Sequence, residues 1–409
     1  MSYLRTASTR RLLAMIAGVV IAAGGGTAIA LAAAGSGPIP RPKPLPRAIH
    51  DALSAPQIAG ITARITFTNH LISASNIQGS DPLLTGASGR LWLDPSGHRL
   101  RIELQGNNGD AQVVVNGRSA FISDPSMHIA YRFTLPAPGA EPKTVGGAGQ
   151  VPSLANIQQE LTKLAQHVDI SGAQPSDVAH HAAYTVSVSP RHAGGLLGSA
   201  QLAWDAVRGV PLRFAIYAHS SNGNGHLDRV LELKVDKISY SAIKSKVFQI
   251  QMPSGAKLVS VAGSTSGAGK EGKRARKGHH APVNGKAAVA RRLPFALAAP
   301  AQLVGLSRHS VTLLNWGGHP AALVTYGQNL GGVAVIEQRA DAAAAKPATT
   351  SGHGDRQGLS LPTVAIGHAT GQELDTALGT VVRFTRAGVS YTVIGSVPAT
   401  AADAAARAL

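Results

Sequence analysis

Between Ser88 and Pro136 short apolar-alternating segments follow one another with turn signals between them. Arg90-Leu91-Trp92-Leu93 stops at Asp94-Pro95-Ser96-Gly97, and His98 to Glu103 follows. Val113-Val114-Val115 stops at Asn116-Gly117, and Phe121 and then Ile129 to Phe133 complete the series. Period-2 alternation broken by such turns predicts an antiparallel meander, whose apolar face must cover either a core or a ligand. Upstream, the pattern predicts a short helix over 47–55, with Ile49, Ala52 and Leu53 on one face, and a strand over Gly60–Thr68 with Ile61, Ala63, Ile65 and Phe67 inward.

Downstream, Ser153 is the expected N-cap of a helix running to about Val168, with Leu154, Ile157, Leu161, Leu164 and Val168 as its apolar stripe. Strand patterning resumes at 182–189, 199–204, 211–219, 230–235 and 247–252. About eleven strands with two helices predict one curved antiparallel sheet, or an open barrel with helices packed into its mouth. From Leu293 the pattern is again strand, at 311–316, 321–325, 333–338, 363–366, 379–386 and 390–395, with a polar insertion over 340–358. Ala387-Gly388 turns the last pair, and a final helix is expected near Thr400, where Thr400 and Asp403 have capping-box spacing. The fold class expected is α+β, mainly antiparallel β: a half-open β-barrel with helices in its mouth over 47–261, plus a smaller α+β C-terminal domain over 293–409.

The formal charge of +17 changes this picture less than its size suggests. Residues 1–47 hold six basic residues and no acid, and the low-complexity stretch 262–292 holds eight against Glu271 alone. Most of the charge therefore belongs to a leader and to a basic linker expected to be disordered, and the domains are nearly balanced. No nucleic-acid partner is expected, since the linker lacks stacking aromatics.

Leu12 to Ala34 is apolar and uncharged, preceded by Arg10-Arg11. Its length matches a bilayer core of about 30 Å, while Ala28-Ile29-Ala30 and Ala32-Ala33-Ala34 suit signal peptidase. Residues 1–37 are thus either an uncleaved signal anchor or a cleaved signal peptide; the length favours the anchor. Either way residues 38–409 are expected outside the cytoplasmic membrane, with the Pro-rich run 38–46 as an extended spacer.

Catalytic constellations are missing from the sequence. There are no cysteines, which removes disulfides, thiolate metal sites and thiol catalysis. The histidine pairs His180-His181 and His279-His280 have no nearby acid cluster, and neither His-x-x-x-His on a helix nor His-Glu-x-x-His occurs. Gly263 to Lys270 resembles a phosphate loop, but its spacing is one residue too long and Glu271 stands where Ser or Thr must ligate magnesium. No enzyme, metal site or cofactor is expected.

The succession Gly89-Arg90-Leu91-Trp92-Leu93-Asp94-Pro95, Arg99 to Glu103, Val114-Val115-Asn116-Gly117-Arg118 and Ile129-Ala130-Tyr131-Arg132 resembles LolA-type modules, and the hairpin Asp205 to Phe214 is similar to a later segment of that family. The resemblance covers about half of the chain and implies a half-open barrel around an apolar cavity for lipid or lipoprotein acyl chains. Its RseB/MucB-like members imply a second role, restraint of sigma-factor signalling through an anti-sigma factor or another envelope protein. The closing Val382 to Pro398 is similar to a small domain that ends many Gram-positive extracytoplasmic regulators. On these grounds the cavity candidates are Ile65, Phe67, Leu91, Leu93, Leu100, Ile102, Val113, Val115, Tyr131 and Phe133, roofed by Ile157, Leu161 and Leu164. The partners expected are acyl chains, the cytoplasmic membrane through the N-terminal segment, and an envelope protein.

Overall fold

The computed structural model describes residues 37–72, 82–107, 109–124, 129–135, 152–192, 194–220, 225–250, 252, 255–261, 283–316, 319–340 and 361–409. The apolar segment 12–34, most of the basic linker and nearly all of the polar insertion lie outside these residues. Among the described residues, no helix is long and apolar enough to cross a membrane.

The meander forms as its alternation predicts: β2 (Gly86–Asp94), β3 (Arg99–Leu104), β4 (Ala111–Asn116), β5 (Ser119–Asp124) and β6 (Ile129–Thr134) pair in sequence order. At the first turn Asp94 accepts from Ser96, the Gly97 amide and Arg99, which satisfies the carboxylate and fixes the β2–β3 register. On the β2 side β1 (Ile61–Asn69) continues the sheet, followed in space by β12 (Leu227–Tyr240), β11 (Pro211–His219), β10 (Leu197–Asp205), β9 (His181–Pro190) and β7 (Val168–Ile170). The short β8 (Gln174–Val178) pairs with β9, and β13 (Lys257–Val261) closes the far edge against β6 as the sheet's parallel pair.

This thirteen-stranded sheet is curled. Val178 and Ala183 of the β8–β9 hairpin share a buried cluster with Ile61, Ala63 and Ile65 of β1, which lies four strands away along the sheet. Register shifts at Arg64/Ile65, Ile216/Tyr217 and Ala203/Trp204 are bulges, and bulges sharpen the local twist and bend. Two helices flank the β7–β10 side. Helix α1 (Leu45–Leu53) and helix α2 (Leu154–Leu164) pack together, and Ala48 and Leu164 join Tyr184, Val186 and Trp204 in one cluster. Ser153 caps α2 by accepting from the Asn156 amide at 3.2 Å.

The first domain and its borders depart from the sequence pattern in several places. Residues 247–252 are not a strand: Ser245–Phe248 is a 3-10 turn that buries Phe248 completely. The Pro-rich run 38–46 does not stand off the domain as a spacer: its last two residues open α1, the Tyr184 hydroxyl donates to the Arg41 carbonyl at 2.6 Å and Lys43 pairs with Asp51 at 2.7 Å. The second domain begins before Leu293: helix α3 (Lys286–Ala290) lies within the expected linker and buries Val289 in that domain's core.

The second domain is an eight-stranded antiparallel sheet. Its order is β14 (Gln302–Leu303), β15 (Leu306–Trp316), β16 (His319–Tyr326), β17 (Val333–Arg339), β21 (Val389–Gly395), β20 (Gly379–Arg386), β19 (Ala369–Thr376) and β18 (Thr363–Ile366). Helix α4 (Ala399–Arg407) packs Ala402, Ala405 and Ala406 into its core. Pro398, not Thr400, occupies the N-cap of α4, so the expected capping box does not form. The domains touch through Ala377 and Leu378, which pack with Leu71, Ile216 and Val230, and through the Leu196 amide, which donates to the Ser396 carbonyl at 3.0 Å.

Candidate ligand-binding face

Antiparallel partners put their side chains on the same side of a sheet, so the register decides which meander residues share a face. One row runs Ala63, Leu91, Ile102, Val113, Ile122 and Tyr131, and the next runs Ile61, Leu93, Leu100, Val115, Ala120 and Phe133. Ile65 and Phe67 extend the same face along β1. All ten strand residues named from the sequence therefore lie on one side. At about 4.8 Å per strand, each row spans about 24 Å. That exceeds the hydrocarbon thickness of one lipid leaflet, about 15 Å.

Burial changes along this face. Ile61, Ala63 and Ile65 are closed off beneath the β8–β9 hairpin, and Leu91, Leu93, Ile102 and Phe67 pack against their cluster while staying half-buried. Leu100, Val113, Val115, Tyr131 and Phe133 are half-buried and belong to none of the buried clusters among the described residues. Tyr131 and Phe133 stack with ring centroids 6.3 Å apart, making an aromatic lip near the open end. Among the described residues this face is thus apolar, buried at β1 and half-buried toward β6, and it is the candidate groove.

The opposite side of the same strands is sealed. Val114, Phe121 and Ala130 have no exposed surface and are covered by Ile250 and Ala256. Arg101 clamps that cover by donating to the Val247 and Gln249 carbonyls at 3.0 and 3.2 Å, and the Arg99 guanidinium lies 5.4 Å from the Phe248 ring centroid. Phe121, the residue that marked β5 in the sequence, faces this sealed side. Ala120 and Ile122 face the groove and escaped the sequence reading. The Asn116-Gly117 signal points to them, because the two-residue loop Gly117-Arg118 pairs Asn116 with Ser119 and Val115 with Ala120 and so turns Phe121 away.

The roof expected from α2 is not over the meander. Leu164 packs with Tyr184 and Trp204 on the β7–β10 side, Ile157 is buried and Leu161 is half-buried, and none of the three joins the meander residues in a cluster. The helix follows β6 in sequence, but its apolar stripe finds its partner surface in α1 and the later strands.

The groove rows carry no ionisable side chain except the Tyr131 phenol. Ionised groups gather at the closed end. Asp205 is buried; burial pushes its carboxyl up, but the Arg208 and Val207 amides, the Tyr240 hydroxyl and the Arg208 charge outweigh it and hold the carboxyl below its ordinary range. His181 lies 3.4 Å from that carboxylate and edge-on to Tyr240, so one histidine of the pair does have an acid neighbour, brought in by the β10 turn. Among the described residues, no three His, Asp or Glu side chains are placed to hold a metal ion.

No family model matches the chain, and no curated protein matches it. Among solved structures it is similar to MucB of Pseudomonas aeruginosa in complex with MucA, at 15% identity and a TM-score of 0.37, over 88% of this chain and 95% of that one. It is also similar to a LolA superfamily protein from Nitrosomonas europaea, at 8% identity and a TM-score of 0.21, over 51% of this chain and 98% of that one. A putative outer membrane lipoprotein-sorting protein domain from Vibrio parahaemolyticus gives 9% identity and a TM-score of 0.18, over 50% and 95%. At these identities and scores the likeness carries no functional argument, and the fold rests on the strand order and register described above.

Proposed function

We propose that this chain is a non-catalytic, envelope-facing binding protein that holds an acyl chain of a lipid or lipoprotein along the groove of its first domain, with residues 38–409 outside the cytoplasmic membrane. The observation that carries this reading is the asymmetry of the meander: one apolar face is sealed by its own chain, while the other keeps Leu100, Val113, Val115, Tyr131 and Phe133 half-exposed in two continuous rows. A mostly apolar trough closed at one end suits a single chain end-on, with the headgroup left at the β6 lip.

Binding of a fluorescent fatty acid tests it. Leu100→Glu and Val115→Glu each place a charge where the acyl chain would lie, and each is expected to weaken binding at least about tenfold while leaving the fold intact, since both positions are half-exposed. Unchanged affinity in both variants would reject the groove as the site.

A second reading, contact with an anti-sigma factor or another envelope protein, is favoured by β18, which lies at an edge of the second sheet and pairs with β19 alone among the described strands. An extended peptide adds to such an edge through backbone hydrogen bonds. Unchanged envelope-stress transcription after deletion of the gene would count against this reading.

A further inference from the structure

The chain leaves its apolar N-terminal segment with almost no slack. Leu12 to Ala34 is apolar, and only Gly35 and Ser36 separate it from Gly37. The Gly37 amide donates to Asp177 Oδ2 at 3.0 Å, which fixes the start of the described chain to β8. The residues that follow stay on the domain, held by Tyr184 at Arg41 and by Asp51 at Lys43. Three residues reach at most about 10 Å. If the apolar segment sits in a bilayer, the Gly37 end of the domain must therefore lie at the lipid surface.

The surface at that end has the matching chemistry. Asp177 is two residues from the β8–β9 turn at Ala179 and His180, and that turn borders a depression of about 500 Å³ lined also by Arg64, His181, Asp236, Lys237 and Ile238. Lys237, Arg64 and Arg90 stand directly opposite one another on β12, β1 and β2, so three like charges occupy neighbouring positions on the outer face. Among the described residues none of the three has a carboxylate within salt-bridge range. Asp236 accepts from Thr66, and Glu103, the next residue of the row, is taken by Arg101. Adjacent like charges repel one another unless an anion lies across them. Beside Gly37, Ile39 is 65% exposed, an apolar side chain with nothing to cover it.

We propose that this end of the first domain lies directly against an anionic lipid surface, with Ile39 at the interface and Arg64, Arg90 and Lys237 facing lipid phosphates. The occupant is a bilayer because two independent features converge there: the fixed exit of an apolar segment of spanning length, and a row of cations without carboxylate partners. The proposal rests on the envelope-facing reading above but not on the acyl-binding groove, which opens toward β6 at the other end of the meander.

Absence of cysteine makes the test direct. The full chain is reconstituted in vesicles of phosphatidylcholine and phosphatidylglycerol, carrying an environment-sensitive fluorophore on Ile39→Cys or, as the control, on Thr363→Cys of exposed β18. The Ile39 label is expected to emit at shorter wavelength and to be quenched by headgroup spin-labelled lipid severalfold more than the control. A Gly/Ser run inserted between Ser36 and Gly37, or Arg64→Gln with Lys237→Gln, is expected to return the emission toward that of water while the protein stays with the vesicles. Water-like emission from Ile39 in vesicle-bound protein, no change on combining the two glutamine substitutions, or recovery of the chain in the supernatant with its first 34 residues removed would each overturn the proposal. Fatty-acid binding measured on the same samples reports on the groove separately.

Discussion

Glu337 shows how a buried charge in this molecule does structural work. Its carboxylate has no exposed surface and accepts the Ala298 and Ala299 amides at 2.8 and 3.0 Å, tying the loop before β14 to the centre of the second sheet. Burial pushes its carboxyl up, against the pull of the two amides and of Lys286. Glu337→Gln keeps the shape but turns an amide donor toward one of the backbone donors, and should cost about 1–3 kcal/mol in urea unfolding. Glu373 is held differently. Burial first, and then the neighbouring Asp403 and Asp375, push its carboxyl up, and Arg407 answers only the Asp403 side of the cluster. Raised above its unfolded value, this group favours the fold as pH falls through the folded pKa, and that gain is lost as pH rises through it. Glu373→Gln should therefore raise the melting temperature at pH 7 and do little in acid below the ordinary carboxyl range. A loss of stability at pH 7 would show that the carboxylate is instead satisfied. Asp205 has the opposite sign: its lowered carboxyl stabilises the fold above the unfolded pKa and loses that effect as pH falls through the folded one.

At the level of elements, the sealed and open faces of the meander are set by one segment. Phe248 is fully buried on the 3-10 turn that covers β3 and β4, and Phe248→Ala should cost about 3–5 kcal/mol and expose the Val114–Phe121 side to a hydrophobic dye. A cost below about 1 kcal/mol would mean that the cover is not held there. Alternation showed the meander strands because each carries apolar residues on one side and ends in a strong turn. The same signal placed the ten groove residues together but could not tell open from sealed, since Val114 and Phe121 are as apolar as Val113 and Val115 and the difference comes from a segment more than a hundred residues away. β7, β8 and β19 were illegible: Val168–Ile170 has three residues, and Gln174–Val178 and Ala369–Thr376 are rich in polar side chains and glycine. The strand expected over 247–252 failed for the reverse reason, apolar residues serving as a cover without pairing. Helix α2 was legible in its start and its cap, but it ends at Leu164, short of the expected Val168, which instead opens β7, and its partner surface lay outside its own sequence.

At the scale of the whole molecule, two sheets of different size are joined at a small apolar contact. Leu378 sits in that contact with Leu71 and Ile216, and the Leu196 amide adds a hydrogen bond to Ser396. The approach is close enough that a Cβ on Gly331 would strike the Gly194 carbonyl. Leu378→Asp places an unpaired charge in this half-buried apolar contact and should split one calorimetric transition into two, as each domain melts on its own core; a single unshifted transition would contradict this coupling. The candidate face lies away from this contact, on strands that pair within the first sheet, so the proposed acyl ligand can be sought on the intact chain. Mass spectrometry of the organic extract of natively purified, detergent-free protein asks the central question most directly. The acyl-binding account predicts fatty acyl species in amounts approaching one chain per protein, reduced severalfold in Val115→Glu; an extract free of acyl chains, or one that Val115→Glu leaves unchanged, would contradict it.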